Sequence, residues 1–415
     1  MTIDSFEPLK LDSAVLRALS EIGYERPTPI QALAIPQLLA GKDMLGIAQT
    51  GTGKTAAFAL PLLQKLTRSE HRPQARKPQA LILAPTRELA VQIAEELDAY
   101  ARYLDVCTVQ IFGGVNQNPQ VGALAQRVHI VVATPGRLLD LIGQGHLDLS
   151  AVSTLVLDEA DRLLDMGFVR DVRRIVEKTP RSRQSLLFSA TLPNAVVSLA
   201  NDMLRNPVRV EVTPEVVTVE KIDQRVVMAA ASDKRRVLDA LLHDEDVERA
   251  IVFCRTKHGA NRVAKQLNTA GHSAEAIHGN KSQSARQRAL CAFKAGKVSV
   301  LVATDIAARG IDVDGVSHVF NYELPHEPES YVHRIGRTAR AGASGVAISL
   351  VDPSEDKRLQ AIERLTKRSL TSMSVNLEGL QSIQRPAAAA NETGEQPPRL
   401  RRRRRPRRRT LRRAI

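Results

Sequence analysis

Short aliphatic runs separated by longer amphipathic stretches recur through most of this 415-residue sequence and limit its fold more than any other feature. In the first half the runs are Ala80–Ala84, Val128–Ala133, Thr154–Leu157 and Ser185–Phe188. After residue 220 the rhythm restarts at Arg225–Met228, Ala250–Cys254, Ser299–Ala303, His318–Asn321 and Gly345–Val351. Between them lie stretches such as Glu88–Leu104, whose apolar residues recur at three- and four-residue steps, as one face of a helix requires. Strands alternating with helices predict an α/β fold in which parallel sheets are covered by helices on both faces.

The length predicts two domains. Pro and short polar residues interrupt the periodicity across Asn206–Glu220. The expected division is a first domain over 1–210, a linker over 211–220, a second domain over 221–370 and an extension over 371–415. No short sequence repeat is visible, so the halves are expected to repeat an architecture and not its letters. The extension ends in an Ala run, NETGEQPP and RRRRRPRRR, which lack the apolar side chains of a core and predict disorder.

Charge separates the tail from the body. The formal net charge is +14; Pro386–Ile415 holds 11 Arg against Glu392 and Glu395, a net +9, leaving +5 for the rest. A polyanionic partner is the expected use of such a tail. Aromatics are only 3% of residues and Trp is absent, so stacking on aromatic platforms is not the main grip on that partner. Cys107, Cys254 and Cys291 are odd in number with no CxxC spacing, as in reduced proteins. No apolar run approaches a membrane span and no signal pattern opens the chain, so a soluble, cytoplasmic protein without membrane contact is expected.

Two motifs carry chemistry. Ala48–Thr55 reads AQTGTGKT after the apolar run Met44–Ile47. Gly51 and Gly53 let backbone N–H groups close around phosphate oxygens, with Gln49, Thr50 and Thr52 completing the loop, and the following helix adds its positive end. Lys54 would reach the β- and γ-phosphates, and the Thr55 hydroxyl would hold Mg²⁺. Ala48 stands where the strict pattern has Gly, and a glycine turn before a helix is the plainer alternative. Thr154–Asp161 reads TLVLDEAD, an apolar strand ending in carboxylates. Ligands of α/β sheets bind beyond the carboxyl ends of strands. Asp158 is therefore expected to hold Mg²⁺ through its water shell, and Glu159 to orient or deprotonate an attacking water. The alternative for an acidic cluster is a helix cap with solvated neighbours.

With these residues in view, the sequence resembles the DEAD-box RNA helicases over roughly residues 5–370. The resemblance implies two tandem RecA-like domains with ATP and Mg²⁺ as cofactors and RNA as partner. It assigns Gly23–Gln31 (GYERPTPIQ), with Phe6 ahead of it, to adenine reading: Gln31 on the adenine edge, Tyr24 on its ring. It assigns Pro85, Thr86 and Arg87, Gly114, and Thr134, Gly136 and Arg137 to the RNA sugar–phosphate backbone, as their hydroxyls, amides and guanidinium groups suit. Ser189 and Thr191 (SAT) would couple hydrolysis to strand separation. In the second half, Gln283 and Arg286 of HGNKSQSAR and Thr304 and Asp305 of VATDIAARGID would face RNA, while Gly310 and Asp312 face the nucleotide. In YVHRIGRTAR, His333 would take part in coupling. Arg337 and Arg340, three apart on one helical face, would reach the γ-phosphate as arginine fingers. Ala339 replaces the Gly of many relatives.

The reaction then expected is gating by domain closure: ATP and RNA bring the domains together, one RNA strand is bent, and short duplexes open locally. The tail would add salt-dependent affinity, or serve as a solubilising or ribosome-associating extension; ribosomal or RNA-decay proteins are candidate partners. Its composition resembles RhlE-type bacterial members. Other readings are an ATP-gated RNA clamp or annealing factor without productive unwinding, and a DNA helicase. A metalloenzyme is disfavoured because His278 and His333 lack neighbouring ligands at metal spacing.

Overall fold

The computed structural model describes residues 4–49, 51–69, 73–212, 222–244, 246–308, 313, 315–339 and 344–375. The first lobe is a seven-stranded sheet of β1 (Met44–Ile47), β2 (Ala80–Leu83), β3 (Thr108–Ile111), β4 (Ile130–Ala133), β5 (Thr154–Leu157), β6 (Gln184–Ser189) and β7 (Val208–Glu211). Its order is β3-β4-β2-β5-β6-β1-β7, and every recorded pairing is parallel. The second lobe contains β8 (Ile222–Met228), β9 (Ala250–Phe253), β10 (Ala274–Ile277), β11 (Val300–Ala303), β12 (His318–Asn321), β13 (Gly345–Val351) and β14 (Thr371–Ser372). Its order, β10-β11-β9-β12-β13-β8-β14, is that of the first with each strand number advanced by seven. The halves do repeat an architecture, in the tandem RecA-like arrangement.

The central strands ALIL, IVVA and TLVL are buried at every position. Helices cover both faces of a parallel sheet, so such strands read as unbroken aliphatic runs. Two cores flank the first sheet: one contains Ile82, Val132, Val156 and Phe188, the other Leu81, Val131, Leu155 and Leu187. Neighbouring residues of one strand thus point to opposite cores, as the period of two demands. Between β1 and β6 the packing leaves no spare room: a Cβ on Gly46 would lie 2.5 Å from the Phe188 ring. Among the described residues, no helix is long and apolar enough to cross a membrane.

Candidate functional site

Five motifs of the first lobe leave the carboxyl end of a strand, while Gly23–Gln31 precedes β1 and runs into the helix Pro29–Leu39. The phosphate loop follows β1, PTREL follows β2, TPGR follows β4, DEAD follows β5 and SAT ends β6. The helix Lys54–Thr67 begins on Gly53, whose φ of +85° favours glycine. A Cβ at Gly53 would also lie 2.4 Å from Gln31 Nε2. Gln31 Nε2 donates to the Gly53 carbonyl at 3.1 Å, and Gln31 Oε1 accepts from Thr28 N at 2.9 Å. The amide keeps one N–H and one lone pair, the complement an adenine edge needs. Tyr24 is exposed and stands edge-on to Tyr100, while Phe6 is buried in the adjoining core.

Inside the loop, Thr52 Oγ1 donates to the Gln49 carbonyl at 2.7 Å. Lys54 is buried, and its Nζ has no hydrogen-bond partner among the described residues. A buried ammonium left in this way requires an anion, and a polyphosphate at the helix N-terminus supplies one. Thr55 is half-buried in the first turn of the same helix. Asp158 is buried, and its carboxyl is raised from 3.8 to about 6 by burial, opposed by Lys54 and reinforced by Glu159. An acidic centre held this far out of water suits a divalent cation, so Thr55 and Asp158 fit Mg²⁺.

Glu159 is buried with φ +50°, in the left-handed region that costs a non-glycine residue about 1–2 kcal/mol. Arg162, also buried, pairs with it at 3.5 Å. The third carboxylate of the tetrad, Asp161, works elsewhere. Asp161 Oδ2 accepts from Thr191 N at 2.9 Å and Thr191 Oγ1 at 2.8 Å, and Ser189 Oγ donates to the Thr191 carbonyl at 2.7 Å. The acidic loop and the SAT segment are thereby latched together. Neither Asp161 nor Arg162 was assigned from sequence, although both lie inside or beside the tetrad.

Gln49, Gly51, Thr52, Arg162 and Thr191 of the first lobe face His333, Gly336 and Arg337 of the second across a cavity of about 440 Å³. Arg337 is buried, and its Nε donates to the His333 carbonyl at 3.3 Å. Arg334 does different work. It is 1% exposed and clamps Asp305 with two of its three nitrogens, Nε at 2.5 Å and Nη2 at 2.7 Å. Its Nη1 donates to Asn321 Oδ1 at 3.1 Å and the Glu323 carbonyl at 2.7 Å. Both oxygens of Asp305, a residue expected at the RNA, are engaged by this guanidinium. Thr304 is buried beside it. Nothing in the local spacing separates Arg334 from its basic neighbours, so its structural role was not legible.

On the expected RNA side, Pro85 is buried and Thr86 Oγ1 caps the helix Arg87–Tyr100 through Leu89 N at 3.2 Å. The Arg87 guanidinium packs on Gly114, where a Cβ would be 2.2 Å from Nη1. Arg137 reaches the Val115 carbonyl at 3.4 Å; Thr134 begins the helix Pro135–Gly143, in which Gly136 is exposed. Gln283 and Arg286 face the first lobe. Glu88 Oε1 accepts from Gln283 Nε2 at 3.2 Å and pairs with Arg286 Nη2 at 3.0 Å, while Arg87 Nη1 donates to Gln283 Oε1 at 3.5 Å. The sequence alone gives Glu88 no role beyond its place in an amphipathic stretch. Thr50, Gly310, Asp312, Arg340 and the tail over 376–415 lie outside the described residues.

Comparison with known proteins bears on the family of the chain. The DEAD/DEAH box helicase family matches residues 28–199 and the helicase conserved C-terminal domain matches 233–342. The DEAD-box ATP-dependent RNA helicase CshA of Bacillus licheniformis is 45% identical over 373 residues, 90% of this chain and 75% of that protein. CshA of Bacillus subtilis is 44% identical over 90% of this chain and 74% of its own length. Among solved structures, S. cerevisiae Dbp5 bound to RNA and ADP BeF3 superposes with a TM-score of 0.80 at 34% identity, covering 91% of this chain and 96% of that one. Mss116 bound to ssRNA and UDP-BeF gives 0.82 at 29% identity, with 91% and 80% covered. The relatives are CshA-type, which corrects the RhlE-type resemblance drawn from the tail: composition of a low-complexity segment records charge and carries little lineage. With both lobes matched in sequence and in fold, the chain belongs to the DEAD-box ATP-dependent RNA helicases.

Proposed function

We propose that this protein hydrolyses ATP in response to RNA and uses the cycle to bend one strand and open short duplexes. The observation that carries the reading is the shared cavity: phosphate-loop residues come from one lobe and Arg337 from the other, so neither lobe alone makes a site. Lys54 holds the phosphate charge, and Glu159 orients the water that attacks the γ-phosphorus as the bond to the β-phosphate oxygen breaks. Arg337 neutralises charge developing on the transferred group. Thr55 and Asp158 would hold Mg²⁺, largely through water, and the ion would supply further charge neutralisation on the phosphates.

Strand opening follows from the coupling of lobe approach to backbone contacts. Thr86, Arg87, Gly114, Thr134, Gly136 and Arg137 offer groups suited to phosphate and ribose and none suited to reading a base, so sequence preference is weak. The latch between Asp161 and Thr191 ties the acidic loop to the strand whose end borders that cavity. Arg340, Gly310 and Asp312 join the nucleotide site in this reading. The lobes divide within 211–220, with an extension from 371, and the arginine tail tethers RNA in the cytoplasm, beside ribosomal or RNA-decay proteins.

Strand displacement on a short RNA duplex with a single-stranded overhang tests the proposal, run with ATP, with a non-hydrolysable analogue, and with the tail removed after residue 385. ATP-dependent separation, reduced but not abolished without the tail, is the expected result. Annealing without separation under every condition would replace the helicase reading with an RNA clamp.

A further inference from the structure

The second lobe holds a cluster of metal-ligating side chains away from the residues described above. Asp239 lies in the helix Lys234–Leu242, and His243 caps its carboxyl end. Four residues apart, they share one helical face. His272 comes from another segment. The helix Lys257–Thr269 is closed by a Schellman turn: His272 N donates to the Leu267 carbonyl at 3.0 Å and Gly271 N to that of Asn268 at 3.2 Å. Gly271 supplies the required positive φ, +101°. This turn directs His272 Nε2 to Asp239 Oδ1 at 2.8 Å.

We propose that Asp239, His243 and His272 form a site for a borderline divalent metal ion of the Zn²⁺ class. The three donor atoms lie within 4.8 Å of one another. Donors about 2.0–2.1 Å from a tetrahedral Zn²⁺ stand about 3.3 Å apart. The separations of Asp239 Oδ1 from His272 Nε2, 2.8 Å, and from His243 Nδ1, 3.8 Å, straddle that value. The two rings meet edge to face with centroids 4.6 Å apart. As placed, His243 Nδ1 donates to the Asp239 carbonyl at 2.7 Å. Metal binding exchanges that bond by a turn of a ring whose side chain is 53% exposed, or leaves it in place and uses Nε2.

The other two ligands are better fixed: the His272 and Asp239 side chains are 10% and 23% exposed. Two imidazoles and one carboxylate suit Zn²⁺ and disfavour Mg²⁺, which takes oxygen ligands. Three protein ligands with solvent beyond His243 leave a fourth position for water. The bound ion would fasten the end of the helix Lys234–Leu242 to the turn before β10, stabilising the second lobe independently of nucleotide.

The test uses the full chain after chelator treatment. Zn²⁺ is titrated by calorimetry, thermal unfolding is followed in parallel, and Co²⁺ serves as a spectroscopic probe of tetrahedral nitrogen–oxygen ligation. Expected are one equivalent bound, a melting temperature raised by Zn²⁺ and unmoved by Mg²⁺ alone, and at least tenfold weaker binding in both His243→Ala and His272→Ala. His243 is exposed, so its variant keeps the fold and the test decisive should His272→Ala unfold. Unchanged stoichiometry and affinity in His243→Ala, or no binding by the parent chain, overturns the proposal.

Discussion

Glu88 in the first lobe and Arg286 in the second approach to 3.0 Å, with side chains only 2% and 12% exposed. Between them Gln283 Nε2 donates to the same carboxylate oxygen at 3.2 Å. One buried carboxylate thus holds two residues of the opposite lobe, and these are the residues that family resemblance places at the RNA. The clasp links the lobes directly, beside whatever the nucleotide contributes.

Replacing Glu88 with Gln keeps the shape and removes the charge opposite Arg286. Losing one partner of a buried ion pair at an interface costs about 2–5 kcal/mol. RNA affinity in the presence of a non-hydrolysable ATP analogue is expected to fall at least tenfold, with the melting temperature of the free chain nearly unchanged. Equal affinity for wild type and variant would show that the clasp does not contribute to closure.

Arg334 and Arg337, three residues apart, are expected to fail in different ways. Arg334→Lys loses the bidentate grip on Asp305 inside the second lobe and the donation to Asn321 Oδ1 and the Glu323 carbonyl, visible as an earlier thermal transition. Arg337→Lys keeps a positive charge at the cavity, is expected to cost less stability than Arg334→Lys, and lowers the ATP hydrolysis rate by orders of magnitude. Thermal unfolding and steady-state hydrolysis on both variants separate the roles; identical behaviour would contradict the assignment.

The raised carboxyl of Asp158 gives a pH signature. Between its ordinary value, 3.8, and about 6 in the fold, the unfolded chain loses this proton while the folded chain keeps it. Stability of the nucleotide-free protein therefore falls as pH rises through that window, by on the order of 2–3 kcal/mol from this group. Asp158→Asn is expected to flatten that part of the profile, to be more stable at pH 7, and to lose its stabilisation by ATP with Mg²⁺. Denaturant melts at pH 4.5 and 7 measure it, and a variant less stable than wild type at pH 7 would contradict it.

Thr191→Val removes the hydroxyl that donates to Asp161 at 2.8 Å and keeps the side-chain shape. A hydrogen bond to a charged group is worth about 1.5–3 kcal/mol. RNA-stimulated hydrolysis is expected to persist while duplex strands separated per ATP fall about tenfold or more; strand separation at the wild-type ratio would remove the latch from the coupling path.

What the sequence made legible follows burial. The recurring aliphatic runs marked central strands, which are covered on both faces. The strands that escaped notice, β3, β7, β10 and β14, are the four sheet edges. Their sequences TVQI, VRVE, AEAI and TS mix in polar residues because an edge is partly exposed, and that weakens the signal. The proposed nucleotide-binding groups Lys54, Asp158 and Glu159 could be named because phosphate chemistry fixes residue types at fixed spacing. Glu88, Asp161, Arg162 and Arg334 could not; for three of them the partner that supplies the meaning, Arg286, Thr191 or Asp305, is distant in sequence. Arg162 alone has its partner close by, in Glu159, and only the cavity it lines sets it apart.

The central claim, that hydrolysis at a site shared by two lobes is driven by RNA, is met most directly by steady-state ATP turnover with no nucleic acid, with single-stranded RNA and with DNA of matched sequence, for wild type and Glu159→Gln. The account predicts strong stimulation by RNA, little by DNA, and loss of turnover with retained ATP binding in the variant. Equal stimulation by DNA, or turnover that ignores RNA, would contradict it.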